Sequence, residues 1–577
     1  MDNQKISNLL NLALDATSGE REESLELNVG YDEEDERWDV IIRYSGETEA
    51  LESPGIRITP LLGNYAVVNL PQNRIDAFAR LPQVEYMEKP RRLFFSVVTG
   101  RAVSCINPVQ NQSPYLFGKN ILVACIDSGV DYTHADFRNA DGSTRILRLW
   151  DQTIPGKPPQ GYQIGTEYTQ EEINQALMAE TAQERQAIVP SRDTSGHGTA
   201  VLGIAVGNGR ESGGVYRGVA SESQLLVVKL GIPRPDSFPR TTELLQGIDY
   251  AVRQAAQLGM PLALNLSFGN SYGSHSGQSL VETYLNTASN FGRTTICVGT
   301  GNEGSRAGHT SGVVSPDREF VVEMGIGEYE PAVNVQLWKN YQDQMRIYVE
   351  HPNGQMIGPV EQIPGAQRFR IQGTELLVYH GEPSPYSTAQ EIYVDFLPAV
   401  SGSYVDSGVW KFRLAPVRVV QGDFDMWLPG GGVLGEATRF YQPTPDTTLT
   451  IPSTALSVIS VGAYNPQLQS YADFSGRGYT RVVQTVKPDL VAPGVDIQTV
   501  RAGGGYAQVT GTSFATPFVT GAAALLMEWG IVNGNDPYLY GEKVKAYLRR
   551  GARQLPGFTE YPNPQVGYGE DVIIRLH

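Results

Sequence analysis

The sequence predicts an α/β fold: a mostly parallel sheet covered by helices on both faces, preceded by a small α+β unit and interrupted by an antiparallel β insertion. Three observations predict it. Short continuous apolar runs recur from residue 121 onward, as in strands buried on both faces, with helical stretches between them. Residues 313–452 switch to apolar–polar alternation broken by turn-rich pieces, and helix signals there are nearly absent. Ahead of both, residues 37–96 carry a strand–strand–helix–strand pattern.

The chain opens with Ile6, Leu9, Leu10, Leu12 and Leu14 at helical spacing and then reaches the acidic run DEEDE at 32–36, which reads as a solvated linker. Residues 1–36 are therefore expected as a helix and a linker. Residues 38–44 (WDVIIRY) and 64–70 (NYAVVNL) read as strands. Residues 71–81 read as a helix with Ile75, Phe78 and Leu81 on one face, and 84–88 as a further strand. A polar, weakly patterned segment follows at 91–113. The α/β part begins with ILVACI at 121–126 and continues with apolar runs at 225–230, 262–266, 295–298 and 455–461. Between them, residues 242–258 place Leu245, Ile248, Val252 and Ala256 at i, i+3/i+4 spacing, a helix. In the insertion, Val333, Val335 and Leu337 alternate with polar residues, as do Met345, Ile347 and Val349, then Ile392, Val394 and Phe396. A β-sandwich or jelly roll is expected there. Residues 97–312 and 453–577 are then two parts of one α/β domain.

The 577 residues are 41% apolar and 19% charged, an ordinary globular composition long enough for several domains. Acidic residues exceed basic ones, 62 − 45 = 17, for a net charge of −17. That argues against nonspecific nucleic-acid binding, which needs Lys and Arg to neutralise phosphates, and disfavours an anionic membrane surface. No basic start leads into a long apolar core, so no secretion signal or membrane span is expected, and the chain is expected either inside the cell, as in the cytoplasm, or released by some other route. Cys105, Cys125 and Cys297 have no metal-like spacing and are odd in number, so a disulfide framework is not expected. Cys125 and Cys297 lie in strand-like runs and read as core packing.

Four short stretches carry chemistry. IDSG puts Asp127 at the carboxyl end of a buried strand, the edge where sites form in open α/β sheets, although a turn or cap aspartate explains it alone. DTSGHGT sets His197 between glycines before a helix of small apolar residues. Small neighbours let other backbone approach the ring, and histidine exchanges protons near neutral pH; a structural histidine at a helix start is the alternative. GTGNEG holds Asn302 in a glycine-rich turn, where its amide can donate to a forming oxyanion, worth roughly 3–4 kcal/mol in acyl transfer; a plain turn is the alternative. GTSFATPFVTGAAALL opens an apolar helix with Ser513, either an N-cap or a nucleophile that needs a base. Pro517 is expected within the first helical turn, where no N–H is needed, and the small residues at 521–524 are expected to let that helix pack tightly. All four stretches fall at strand–loop or loop–helix junctions, in the order Asp…His…Asn…Ser, and the two partners upstream favour the nucleophile reading of Ser513.

On these residues the sequence resembles the subtilisin-like serine proteases, the subtilases, over about 114–312 and 453–540. IDSGVDYTHADF is similar to their aspartate motif, SGHGTAVLG to the histidine motif and GTSFATPFVTGAAALL to the serine motif. The resemblance implies Ser513 as nucleophile, His197 as general base and then acid, and Asp127 as the orienter of His197. It implies an oxyanion hole of Asn302 and the Ser513 N–H. Ser267, Phe268 and Gly269 resemble the strand that pairs with substrate backbone and walls the S1 pocket. Thr300 and Gly301 would form the opposite wall, and Glu303 the rim, favouring a basic P1 side chain. KPDLVAPG at 487–494 matches a further framework motif. Two departures stand out: Ala200 replaces a second histidine found in many relatives, and Gly299, Thr300 and Gly301 replace the usual Ala-Ala-Gly before the asparagine.

A small α+β unit in front of such a domain implies a propeptide that is cleaved from the chain by the chain itself, here within residues 93–104. The layout, with an insertion between the asparagine and serine motifs, resembles the Csp-type germination proteases of spore-formers. That implies action inside the spore on a cortex-lytic hydrolase zymogen, by limited proteolysis. A general intracellular degradative protease, and a pseudoprotease that senses a ligand or partner, stay open on sequence alone. No required cofactor or metal is expected: Asp131, Asp136 and Asp141 lie close in sequence but lack a metal-loop spacing, so a solvated loop is expected rather than a calcium site. The expected partners are a protein substrate and the chain's own propeptide, with no nucleic acid and no membrane span.

Overall fold

Strand Leu122–Asp127 is buried at every position because parallel strands flank both its edges and helices cover both its faces. It is central to a nine-stranded sheet among the residues that the computed structural model describes, 4–95, 115–232, 239–430, 432–481 and 485–571. From one edge the order is Ser470–Tyr471, Ile459–Asn465, Thr294–Gly299, Leu262–Leu266, Leu122–Asp127, Gln224–Lys229, Ile146–Asp151 and Thr166–Thr169, with Leu490–Pro493 also pairing with Ile459–Asn465. The inner pairings are parallel, and the two outermost strands run antiparallel. This sheet belongs to one of two compact units, residues 93–269, 281–302 and 449–577.

Along the central strand, side chains alternate between two helical layers. Val123 and Cys125 enter a core with Val201, Ala205, Phe518 and Ala522, from helices His197–Val206 and Thr512–Met527. Ile126 faces the other layer, where Gly247 lets helix Thr241–Leu258 come close: a Cβ there would meet Ile126 and Val228 at 3.3 Å. The small residues at 521–524 act as expected. A Cβ on Gly521 would fall 2.4 Å from Val219. Helix Thr512–Val532 is long and apolar enough to cross a bilayer, but 83% of its apolar window is buried inside the domain; a helix enclosed on all sides needs no polar face.

The other unit comprises residues 1–92, 270–280 and 303–448. Its amino-terminal module is a five-stranded antiparallel sheet around Arg37–Tyr44 and Tyr65–Pro71, with helix Asn8–Asp15. Two sheets of six and five strands form its sandwich, which closes on one apolar core containing Val335, Ile347, Val394, Trp410 and Phe412. A second core joins module and sandwich: Leu9, Leu12, Trp38, Val68 and Met87 pack with Leu377, Tyr379, Tyr393 and Leu397.

Several local expectations are corrected. The acidic run at 32–36 is not a linker but the turn of a hairpin, in which Asp32 pairs with Arg37 and accepts the Glu34 N–H at 3.2 Å. The helix expected at 71–81 shortens to a 3-10 turn, Gln72–Arg74, and Ile75–Ala79, because Pro71 still pairs with Arg37. Residues 455–458 are not strand; Ala455 N–H closes a turn on Pro452, and the strand starts at Ile459. The sandwich begins earlier than 313, with strand His309–Val313. In strand Ala389–Pro398, Glu391 and Asp395, which share the alternation with Ile392, Val394 and Phe396, are buried, because that sheet face carries the amino-terminal module.

Candidate active site

Asp127 ends the central strand, and its Oδ1 lies 2.7 Å from His197 Nδ1. A carboxylate can only accept, so Nδ1 carries the proton and Nε2 becomes the ring's acceptor. The same Oδ1 accepts the Ser128 N–H at 2.7 Å, which fixes the carboxylate plane. Both side chains are almost fully buried, in a setting where charge interactions are strong. Local sequence sets this geometry. Gly196, in left-handed conformation at φ +75°, caps the helix that starts at His197. A Cβ on Gly198 would fall 2.3 Å from the Gly129 carbonyl oxygen, so only glycine lets the histidine helix reach the end of the aspartate strand.

Ser513 is the second residue of helix Thr512–Met527, whose N-cap is Gly511. The N-cap reading of Ser513 is thereby excluded. Its hydroxyl donates to the Ser267 carbonyl at 2.8 Å, and the next side chain, Phe514, sets its ring 5.3 Å from the His197 ring. Pro517 is the sixth helical residue, past the first turn where it was expected. It therefore withholds the N–H that would bond the Ser513 carbonyl. The Ser267 hydroxyl replaces that donor at 2.8 Å. Sequence reading missed this role of Ser267, and a proline four residues after the nucleophile was its only signal.

Asn302 follows strand Thr294–Gly299. Its Oδ1 accepts the Thr512 N–H at 3.0 Å and the Thr512 hydroxyl at 3.1 Å, and Thr512 Oγ1 in turn accepts the Gly301 N–H at 3.1 Å. Because a backbone N–H can only donate, the side-chain oxygen must face it, and this sets the Asn302 Nδ2 end away from the helix. At the second helical position the Ser513 N–H has no intrahelical acceptor, and the helix dipole makes this end partly positive. The structure thus gathers Asp127, His197, Ser513, Asn302 and Ser267 in one unit at the carboxyl edge of a parallel sheet.

The profile described as "Subtilase family" matches residues 118–350 and 435–569. The chain belongs to the subtilase family. Residues 4–91 match the profile described as "Csp protease B prodomain". Among solved structures, that of the Clostridium perfringens CspB protease is 36% identical, covering 82% of this chain and 94% of that one, with a TM-score of 0.75. The subtilase is therefore of Csp type. Among curated relatives, the PIII-type proteinase of Lactococcus lactis subsp. cremoris (strain SK11) is 24% identical over 481 residues, 74% of this chain and 23% of that protein. The minor extracellular protease Vpr of Bacillus subtilis (strain 168) is 24% identical over 485 residues, 79% of this chain and 51% of that protein. The subtilase chain spans only these fractions of their lengths.

The expected substrate strand of the subtilase is already paired. Phe268 and Gly269 form an antiparallel two-residue ladder with Phe95 and Phe94, just past the matched prodomain residues 4–91. Just before it, the Leu93 N–H donates to the Pro239 carbonyl at 2.8 Å. Thr300 is fully buried against Ser475, so its side chain is turned into the core and only backbone remains to line a wall. Gly301 backs onto Thr450, where a Cβ would approach to 2.3 Å. Glu303 groups with the other unit, its carboxylate beside Gly430. Most of the expected self-cleavage segment, residues 96–104, lies outside the described residues, as does Cys105. Cys125 and Cys297 are buried in the core, and burial pushes both thiols up, Cys297 to about 12.

Among the described residues no group of three His, Cys, Asp or Glu side chains is arranged to hold a metal ion. Asp131 accepts from Thr133 and the Gly503 N–H, Asp136 from Tyr506 and the Glu211 N–H, and Asp141 from Ser143. The framework motif at 487–494 holds a buried Lys487–Asp489 ion pair at 2.8 Å, joined by Arg549, and places the Gly494 carbonyl to accept the Gly511 N–H at 2.8 Å.

Proposed function

We propose that this chain is a serine endopeptidase that hydrolyses peptide bonds through an acyl-enzyme on Ser513. The observation that carries the reading is the 2.7 Å Asp127–His197 hydrogen bond, with the imidazole set against Phe514 beside the serine. Substrate backbone adds to Phe268 and Gly269 as an antiparallel strand, as the prodomain tail does. A substrate N–H that takes the Ser267 carbonyl displaces the Ser513 hydroxyl from it, and the hydroxyl turns about Cα–Cβ toward His197 Nε2. Ser513 Oγ then bonds the scissile carbonyl carbon as its proton passes to Nε2. The oxyanion receives hydrogen bonds from Asn302 Nδ2 and the Ser513 N–H. Asp127 stabilises the imidazolium and holds its tautomer. Collapse breaks the C–N bond, and Nε2 returns the proton to the leaving amine. Water repeats the sequence on the ester and frees Ser513.

The paired tail supports a further part of the reading: the prodomain end is the chain's own first substrate, cut shortly after Phe95 and within residues 93–104. The Csp-type layout supports limited proteolysis of a cortex-lytic hydrolase zymogen within the germinating spore. Two experiments test this. A fluorophosphonate probe should label the wild type and not Ser513→Ala, which should also migrate as one intact chain. Incubation of both proteins with candidate cortex-hydrolase precursors, followed by sequencing of new N-termini, should show one defined cut with wild type only. A folded wild type that resists the probe overturns the peptidase reading, and indiscriminate digestion overturns the limited-proteolysis reading.

A further inference from the structure

Asp193 lies four residues before His197, 8% exposed, and its carboxylate accepts five hydrogen bonds. At Oδ1 the donors are the Ser128 hydroxyl at 2.8 Å, the Gly196 N–H at 2.9 Å and the Ser195 hydroxyl at 3.2 Å. At Oδ2 they are the Thr199 N–H at 2.8 Å and the Thr199 hydroxyl at 2.6 Å. Two of these donors continue as bridges. The Ser128 hydroxyl accepts the Gly198 N–H at 2.9 Å, and the Thr199 hydroxyl accepts the Asp131 N–H at 2.9 Å. One carboxylate thus ties both ends of the loop that follows Asp127 to the first turn of the helix that begins with His197. It also takes up N–H groups at that helix start, which have no intrahelical acceptor, and its negative charge suits the positive end of the dipole.

We infer that Asp193 is the positioning residue that fixes the Asp127–His197 hydrogen bond, acting through the two bridges by way of Ser128 and Thr199. The inference rests on the peptidase reading above and deepens it. Ser128 is covalently next to Asp127, and Gly198 next to His197, so the Ser128 bridge spans the residues adjacent to both members of the pair. The Thr199 bridge prevents the loop from pivoting about the first. Both bridges converge on a group that accepts at both oxygens, which only a carboxylate does. An asparagine offers one accepting oxygen, so its amide nitrogen would face either the Thr199 donors or the Ser128, Ser195 and Gly196 donors, and one side of the clamp is lost.

The test uses the full chain with Asp193→Asn, Ser128→Ala, Thr199→Val and the Asp193→Asn/Ser128→Ala double variant. Activity is read on a chromogenic tetrapeptide, and the shared imidazole proton by its downfield proton resonance. A misplacement of about 1 Å at a reacting centre costs on the order of 10²-fold, so Asp193→Asn should lower kcat by about 10- to 100-fold with KM within about threefold. Its downfield resonance should shift or broaden. Ser128→Ala should show a smaller loss of kcat, and the double variant should lose less than the product of the two single effects, because both act through one clamp. An unchanged kcat and resonance in Asp193→Asn overturns the inference. Multiplicative effects in the double variant also overturn it. If Asp193→Asn does not fold, Ser128→Ala carries the test: it removes one bridge only, and an unchanged kcat and resonance there overturns the inference. Failure of the wild type to take a fluorophosphonate probe would instead sink the underlying peptidase reading, while the resonance still reports on the clamp.

Discussion

Replacing Asp395 with asparagine should stabilise the unit formed by the amino-terminal module and the sandwich at pH 7, and the gain should fade toward pH 4. Asp395 is fully buried. It accepts a hydrogen bond from Ser24 at Oδ2, while Oδ1 has no hydrogen-bond partner among the described residues. Desolvation, with the charges of Glu26 and Glu20 added, pushes its pKa from the ordinary 3.8 up to about 8. Burial raises Glu26 beside it in the same way. The folded chain therefore holds a proton on Asp395 up to about pH 8, whereas the unfolded chain releases it near 3.8. The stability that this group contributes is complete below 3.8 and is lost as pH rises through about 8. Each pH unit across that window removes about 1.4 kcal/mol, so on the order of 4 kcal/mol is lost by pH 7. A neutral asparagine keeps an oxygen for Ser24 and carries no such slope. At about 2–4 °C per kcal/mol for a unit of this size, the unfolding midpoint at pH 7 should rise by roughly 8–16 °C. The assay is a pH series of thermal midpoints from pH 4 to 8.5 in a Ser513→Ala background, with and without Asp395→Asn. Parallel curves, or a lower midpoint for Asp395→Asn at pH 7, would refute the reasoning.

Asn302→Ala should lower kcat by about 10²–10³-fold with little change in KM, the range found for single oxyanion donors, subtilisin's own among them; a loss below fivefold on a chromogenic peptide would remove Asn302 from the proposed role. Ser267→Ala should destabilise by about 1–3 kcal/mol in urea titration, because it leaves the buried Ser513 carbonyl without a donor. Adding Pro517→Ala should recover much of that loss, since the restored N–H reaches the same carbonyl; additive losses would count against the substitution of donors described above. Lys487→Met should cost about 3–5 kcal/mol by leaving Asp489 buried with one fewer cation, and a variant within 1 kcal/mol of wild type would show that Arg549 alone suffices.

The sites were legible in sequence where the physics is local. A buried parallel strand must be apolar throughout, so LVACID announced itself, and its carboxyl end located Asp127. Glycines on either side of His197 announced close backbone approach, and Gly198 does abut the Gly129 carbonyl. The helix after Ser513 was legible from its small apolar residues, although its proline was misplaced by a turn because the true N-cap, Gly511, lies two residues upstream of the serine. Sandwich strands showed as alternation, but alternation carries no sign that Glu391 and Asp395 are buried, because the surface covering them comes from the other end of the chain.

The sequence by itself determined the family, the sheet and the identity of the reacting groups, because strand burial, helix starts and tight turns each depend on residues a few positions apart. Only the tertiary structure decided what surrounds those groups. Asp193 joins Ser128 and Thr199, Ser267 stands in for the donor that Pro517 lacks, and Ser24 meets Asp395 across 371 residues. A side chain's hydrogen-bond partners and its access to water are set by whichever segments the fold packs around it, and no spacing within one segment records those.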